Sequence, residues 1–364
     1  MDYVSRIKRV QKLMLEKGVD YLILTPSTDL LYLTGFRGRL DERLTCLILT
    51  QKEPFFVFPK FEAASLHTKI SIDVNRITWD ESDDPFDIIV KHFADDRRMV
   101  AVGTHMPGRY LCRFQARFSN WKYILSEELL NDMRMHKDVE EEAIILEGHN
   151  RCNKALLRLY EHGLCGMTEL AAKTLLMSYC LDEGLSVQRG TNMVATGPNG
   201  ALQHYQSSDS AVITKGDPVI IDFGYEYQGY ISDITRTPVI KTVSSEVKEI
   251  YEIVRRANET AFASVKLGET CESIDYAGRK VIEDAGFGEY FTHRLGHGIG
   301  LDLHEDPYIV RGNKRLLEDG YTFSDEPGIY LNGKFGIRIE DILIARPDGA
   351  HKLNNIPHDM VIID

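Results

Sequence analysis

The chain has 364 residues, with 43 basic against 55 acidic side chains and a net charge of −12. That length exceeds what one hydrophobic core usually organises, so two domains are expected, and 43% hydrophobic with 27% charged residues is a globular rather than a disordered composition. The acidic balance argues against nucleic acid or an anionic membrane surface as a partner, and no apolar run reaches the length of about 18 residues that a membrane span needs.

The first residues, Met1-Asp2-Tyr3-Val4-Ser5-Arg6, run straight into a charged amphipathic pattern, which is not that of a signal peptide. Val4, Ile7, Val10 and Met14 recur at helical spacing and Gly18 follows as a stop, predicting a helix. Tyr21–Leu24 is a short apolar run closed by Thr25-Pro26-Ser27, and strand-like runs follow at Thr45–Leu49, Pro54–Val57 and Met99–Val102. Helical stretches at Phe61–His67 and Phe86–Phe93 fall between them, so the first part of the chain reads as an α/β domain. It carries no phosphate loop and no dense cluster of catalytic residue types. The pattern changes within residues 122–138, and the boundary is placed so that the domains are 1–124 and 125–364. Six scattered cysteines without a C-x-x-C pair read as buried thiols of a cytoplasmic protein.

Beyond the boundary, Ile145, Cys152, Leu156 and Leu159 mark one face of a long helix. An internal repeat follows. Leu164-Cys165-Gly166 leads a helix ending in Asp182-Glu183-Gly184, and Leu267-Gly268-Glu269-Thr270 leads one ending in Asp284-Ala285-Gly286. Both glycine pairs, Gly166 with Gly268 and Gly184 with Gly286, stand 102 positions apart. A second amphipathic helix, striped by Val247, Ile250, Val254, Ala261 and Val265, opens the second half. Each half closes on strand-rich sequence, Asp222-Phe223-Gly224 and Glu326-Pro327-Gly328. The pattern predicts a duplicated helix–helix–hairpin unit.

Those closing strands carry acids inside apolar runs. If the hairpin after Pro218–Gly224 turns about residues 227–228, Asp222 stands directly opposite Asp233, and Glu326 and Glu340 are likewise symmetric about Gly333. Four carboxylates converging in an interior site need cations, because desolvating even one unpaired carboxylate costs several kcal/mol. Two divalent ions are the simplest solution. The segment His293–His304 supplies imidazoles among Gly296, Gly298 and Gly300. One imidazole with four carboxylates is a hard ligand set that suits Mn²⁺ or Co²⁺, with Zn²⁺ as an alternative. Gly-x-Gly-x-Gly lacks the spacing of a dinucleotide site, and His293 and His297 lack the intervening glutamate of a zincin.

With these motifs in hand, the sequence resembles the pita-bread metallopeptidases, in the prolidase and aminopeptidase P branch. The resemblance rests on Asp222-Phe223-Gly224, Ser232–Thr237, Gly296–Gly300, Glu326-Pro327-Gly328 and Arg338–Asp341, with Tyr32–Phe36 similar to a creatinase signature. It implies an α/β creatinase-like N-terminal domain and an α+β pita-bread catalytic domain with a pseudo-twofold duplication. It implies metal ligands at Asp222, Asp233, His297, Glu326 and Glu340, with Asp233 and Glu340 bridging two metals. His204 and His304 match histidines placed around substrate, Glu326 matches a proton shuttle, and Arg338 is expected to orient Glu340 or its neighbours. Arg236 is expected to face away from the metals, and Asp325 to point to the opposite face from Glu326. Arg37 and Arg39 could reach a substrate cleft or be solvated loop charges.

The expected activity is hydrolysis of Xaa-Pro bonds in short proline-containing peptides by a homodimer, as a prolidase or an Xaa-Pro aminopeptidase. A second reading keeps the fold and the metals but takes a small non-peptide substrate. A third, a catalytically dead binding protein, is opposed by the complete ligand set.

Overall fold

A computed structural model describes residues 1–66, 70–93 and 95–364, which form two units, Met1–Arg134 and Met135–Asp364. The division falls later than the 124/125 boundary read from composition, because the segment just beyond that point still belongs to the first sheet and its covering helix. Among the described residues no helix is long and apolar enough to cross a membrane.

The first unit runs α1 (Tyr3–Lys17), β1 (Tyr21–Leu24), α2 (Thr28–Thr34), β2 (Cys46–Thr50), β3 (Pro54–Pro59), α3 (Ala63–Leu66), β4 (Asn75–Trp79), α4 (Pro85–His92), β5 (Met99–Val102), α5 (Gly108–Arg117), β6 (Lys122–Leu125) and α6 (Glu127–Met135). Its strands form one mixed sheet in the order β4-β3-β2-β1-β5-β6. Asp2 caps α1 by accepting from the Ser5 amide, and Gly18 ends it in the left-handed region at φ 66°. Ile7, Val10 and Met14 are buried as their spacing predicts, but Val4 is 50% exposed. Arg6 takes the inward place in that first turn, its guanidinium stacked 4.1 Å over the Tyr32 ring and donating to the Tyr32 carbonyl. The last residue of the helix expected at Phe61–His67 lies outside the described residues. The sequence reading passes over α2, β4, α5 and β6. In α2 the apolar run Leu30–Leu33 hides the helical period, and the Ser27 hydroxyl caps the helix by accepting the Leu30 amide. β4 and β6 are edge strands, β4 with no apolar run and β6 with only the short Tyr123-Ile124-Leu125.

The second unit begins with α7 (Val139–His162), α8 (Glu169–Asp182), β7 (Ser186–Thr196), β8 (Val219–Tyr227), β9 (Tyr230–Ile231), β10 (Ile234–Arg236) and β11 (Val239–Ile240). Its second half follows as α9 (Ser245–Ser264), α10 (Cys271–Asp284), β12 (Gly296–Gly298), β13 (Glu305–Ile309), β14 (Thr322–Asp325), β15 (Gly328–Leu331), β16 (Phe335–Arg338), β17 (Asp341–Arg346) and β18 (Gly349–Lys352), and β19 (Ile362–Ile363) returns to pair with β11. The duplication is visible in fine detail. Thr168 and Thr270 cap α8 and α10 with their hydroxyls, and each also bridges to a distant residue, Val212 and Leu316. The paired glycines share positive φ, 90° and 85° at Gly166 and Gly268, 77° and 86° at Gly184 and Gly286. The α7 stripe packs one core and the α9 stripe the other.

The first hairpin closes at Gln228-Gly229, both at positive φ, rather than at 227–228. The register therefore slides by two residues: Asp222 pairs with Thr235, and Asp233 lies level with Gly224. Since the slip is even, both acids keep one face and meet diagonally. Gly224 is where the strands approach most closely, for a β-carbon there would lie 1.7 Å from the Ser232 carbonyl oxygen. Gly224→Ala is expected to destabilise the protein by about 2 kcal/mol or more, measured by urea unfolding.

In the second half, β15 pairs β16 from Gly328 opposite Arg338 to Leu331 opposite Phe335, and β14 pairs β17 with Asp325 opposite Asp341. Glu326 and Glu340 stand at the corner between these two ladders, which share one register. Of the six free thiols, Cys46, Cys152, Cys180 and Cys271 are buried, while Cys112 and Cys165 are exposed, against the expectation that all six are inside.

Candidate metal centre

The acids of the two hairpins meet in a cavity of about 580 Å³ whose wall includes Asp222, Asp233, His297, Glu326 and Glu340, together with His204, His304 and Arg338. The halves are joined there directly. Thr235 on β10 bridges to Glu340, accepting its amide at 3.1 Å through the carbonyl and donating a hydroxyl to Glu340 Oε2 at 2.6 Å. Asp233, His297 and Glu340 each offer a donor atom within 4.8 Å of the others. His297 is the middle residue of β12; a β-carbon at Gly296 would lie 1.8 Å from the Ser324 carbonyl oxygen, so only glycine lets β12 pack so near β14.

The imidazole of His297 is oriented by its own backbone. Nδ1 lies 3.0 Å from the Gly298 carbonyl and so carries the proton. That leaves the Nε2 lone pair facing Glu326 Oε1 at 3.3 Å and Asp233 Oδ2 at 3.8 Å. Burial, then His304, pushes the imidazole down to about 3, so it is neutral at ordinary pH. A lone pair opposed to carboxylate oxygens calls for a cation between them. Two further atoms ask for the same: Asp233 Oδ1 and Glu340 Oε1 are buried and have no hydrogen-bond partner among the described residues.

The electrostatics agree. Burial first, and then Asp222 and Glu326, hold the Asp233 carboxyl well above the ordinary carboxylate range, and burial with Asp233 does the same to Glu340. Glu326 is raised to about 7, chiefly by burial, with Arg338 opposing the rise. Oxygen atoms of four carboxylates plus one imidazole nitrogen, crowded without protons or donors enough to satisfy them, fit divalent cations.

Arg338 sits among the acids and bonds to neighbours of Glu340 rather than to Glu340 itself. Its guanidinium pairs with Asp222, donates to the Tyr330 hydroxyl at 2.8 Å and to Thr235 Oγ1 at 3.2 Å, and so reaches Glu340 only through the Thr235 hydroxyl. Tyr330 in turn lies 2.8 Å from His293 Nε2. Arg236 faces away from the cavity, as its odd spacing from Asp233 predicts, and binds Asp341 at 2.7 Å and the Glu340 carbonyl at 2.6 Å. Asp325 lies buried on the opposite face, across from Asp341. His204 and His304 line the cavity with exposed rings, and the His304 ring is 4.1 Å from that of His297. Sequence reasoning misses Ser324 and Tyr330. Ser324 Oγ donates to Glu326 Oε1 at 3.0 Å and accepts the His297 amide at 2.9 Å. Its place two residues before Glu326, on the same strand face, is the signal that could have found it.

Residues 143–347 match the model of metallopeptidase family M24, and residues 6–136 match the creatinase/prolidase N-terminal domain. The chain belongs to metallopeptidase family M24. It is 35% identical to a probable dipeptidase PepE of Mycobacterium tuberculosis over 99% of this chain and 96% of that protein. The crystal structure of a prolidase from Thermococcus sibiricus superposes with a TM-score of 0.93 at 34% identity, covering all of both chains. That of an X-Pro aminopeptidase from Thermotoga maritima gives 0.86 at 30% identity, covering 98% of this chain and 99% of the other. This M24 chain is thus a metallopeptidase with the creatinase-type N-terminal domain and the pita-bread catalytic fold, and membership of the family implies divalent metal ions at the acidic cluster.

Proposed function

We propose that this M24 enzyme is an Xaa-Pro dipeptidase working with two divalent metal ions held by Asp222, Asp233, His297, Glu326 and Glu340. The observation that carries the reading is the cluster itself: buried acids from both halves, two orphaned carboxylate oxygens and an imidazole lone pair facing the same space. The prolidase likeness over the full chain supports the substrate class. Mn²⁺ is the metal this oxygen-rich set favours, and the reading includes a cytoplasmic homodimer.

A pair of bound divalent ions supplies polarisation of a peptide carbonyl and a nucleophile from water at neutral pH. The chain's own groups do the rest. Asp233 and Glu340 hold the centre from either half, and His297 offers Nε2 because Gly298 retains the Nδ1 proton. Glu326 takes the proton of the attacking water on its carboxylate and returns it to the leaving nitrogen; the Ser324 hydroxyl keeps that carboxylate in place. Arg338 holds Asp222 and, through Thr235, Glu340. His204 and His304, with exposed rings on the cavity wall, contact the peptide.

The test compares an Xaa-Pro dipeptide, an Xaa-Pro-Yaa tripeptide and a dipeptide without proline, using metal-stripped protein with and without added Mn²⁺. Metal-dependent hydrolysis of the Xaa-Pro dipeptide is expected. Full activity after metal removal would overturn the reading. Preference for the tripeptide would favour an aminopeptidase, the second reading that the Thermotoga maritima likeness supports. No turnover of any proline peptide by the loaded protein would point to a small non-peptide substrate.

A further inference from the structure

Asp233 lies in a gap of its own strand. β9 ends at Ile231 and β10 begins at Ile234, so Ser232 and Asp233 stand outside both. The Ser232 amide donates to the Tyr225 carbonyl, which makes that pair the hydrogen-bonded one and turns the backbone of Asp233 away from β8. On that outer edge Thr235, two residues on, finds Glu340 as its partner. Among the described residues no strand pairs with Asp233 on that outer edge. The place is filled from a helix: Nε2 of His149, on α7, lies 3.1 Å from the Asp233 amide nitrogen and 3.1 Å from the Asp233 carbonyl oxygen, so which of the two it bonds is decided by its protonation.

The tautomer follows from the other ring nitrogen. Nδ1 of His149 is 2.8 Å from the Ile145 carbonyl one turn earlier and donates to it, so Nε2 is an acceptor. The ring is fully buried. The fit of helix to loop is close on both sides of this contact. A β-carbon on Gly148 would lie 2.7 Å from Ser232 Oγ, so α7 sits directly against the 232–233 segment. The Asp233 carboxylate, meanwhile, has one oxygen with no hydrogen-bond partner among the described residues. Its position in the cavity therefore depends on where the backbone is held.

We propose that His149 is a positioning residue for the metal centre: by accepting the Asp233 amide in place of a missing strand, it fixes the carboxylate that faces both His297 and Glu340. The inference rests on the reading of Asp233 as a metal ligand. It adds a residue from α7, far from the strand motifs, to the machinery. His149 stands four residues after Ile145 and three before Cys152, a polar side chain on an otherwise apolar helix stripe.

Two variants separate the acceptor from the rest of the side chain. His149→Asn keeps a donor for the Ile145 carbonyl but cannot reach Asp233, whereas His149→Gln places an amide oxygen where Nε2 stood. Mn²⁺ binding to the metal-stripped full chain is measured by calorimetry, beside thermal melts of the metal-free proteins. His149→Asn is expected to bind Mn²⁺ about 10–100-fold more weakly, and His149→Gln within about threefold of the natural chain. Natural affinity in the folded Asn variant would overturn the proposal, as would equal loss in both variants or a lowered melting temperature with affinity unchanged. If His149→Asn does not fold, the Gln variant decides: near-natural affinity supports the proposal and a tenfold loss overturns it. Failure of the natural chain itself to bind Mn²⁺ would instead strike the metal assignment of Asp233.

Discussion

Asp233→Asn is expected to lower Xaa-Pro hydrolysis by at least about a thousandfold while making the metal-free protein more stable. A thousandfold corresponds to about 4 kcal/mol of transition-state stabilisation, the scale expected when a metal centre loses a charged ligand. The opposite effect on stability follows from the same charge. Without cations, Asp233 is buried beside Asp222, Glu326 and Glu340, and its charged form is disfavoured by burial and by those neighbours. An amide removes one member of the repulsive set and can donate to another. Thermal melts with chelator present should therefore rise for Asp233→Asn, and melts with saturating Mn²⁺ should fall relative to the natural chain. A variant that melts lower in both conditions would show that Asp233 is held by structural bonds rather than by cations.

Glu326→Gln carries the second large effect, on pH dependence in the metal-free state. Glu326 is raised from 4.5 to about 7, so between those values the folded state binds the proton that the unfolded state has released. Stability linked to this group is therefore present below about 4.5 and is lost as pH rises through about 7. The shift corresponds to about 3 kcal/mol. His293 and His297 are both lowered to about 3 and titrate in the opposite sense, gaining stability as pH rises toward 6.5. Comparison with Glu326→Gln cancels His293, while His297, whose Nε2 lies 3.3 Å from Glu326 Oε1, is read together with Glu326. Between pH 4.5 and 7.5, with chelator, the variant should gain about 3 kcal/mol relative to the natural chain in urea unfolding. A constant difference across that range would mean that Glu326 titrates normally.

Much of the second unit is legible in its sequence because strong local signals agree there. An apolar run interrupted by a single acid marks β8, the Glu326-Pro327-Gly328 motif marks the end of β14, and the glycine spacing exposes the duplication. What the sequence hides is the register. A turn centred one residue later, at Gln228-Gly229, replaces Asp233 by Thr235 opposite Asp222, and only the even size of the slip keeps the acids on one face. Partners across long separations are equally hidden. Arg338 stands two residues from Glu340 yet pairs with Asp222 in the other half, because its strand is set against β10 through Thr237 and Thr235. In the first unit, local signals fail where a strand lies at a sheet edge and needs no apolar run, as in β4.

The bridge from Thr235 to Glu340 has a consequence for how such a chain can change over time. Each half of the second unit supplies part of the acidic cluster, so neither half can complete it by itself. A substitution that moves one hairpin can be answered only from the other, which ties the two copies of the repeat together at this corner. Elsewhere they remain free to diverge, and they have: Glu169, buried at the start of α8 and binding the Thr196 and Ser208 amides, corresponds in the second copy to the plain thiol of Cys271. The shared corner is where the two copies must still evolve as one.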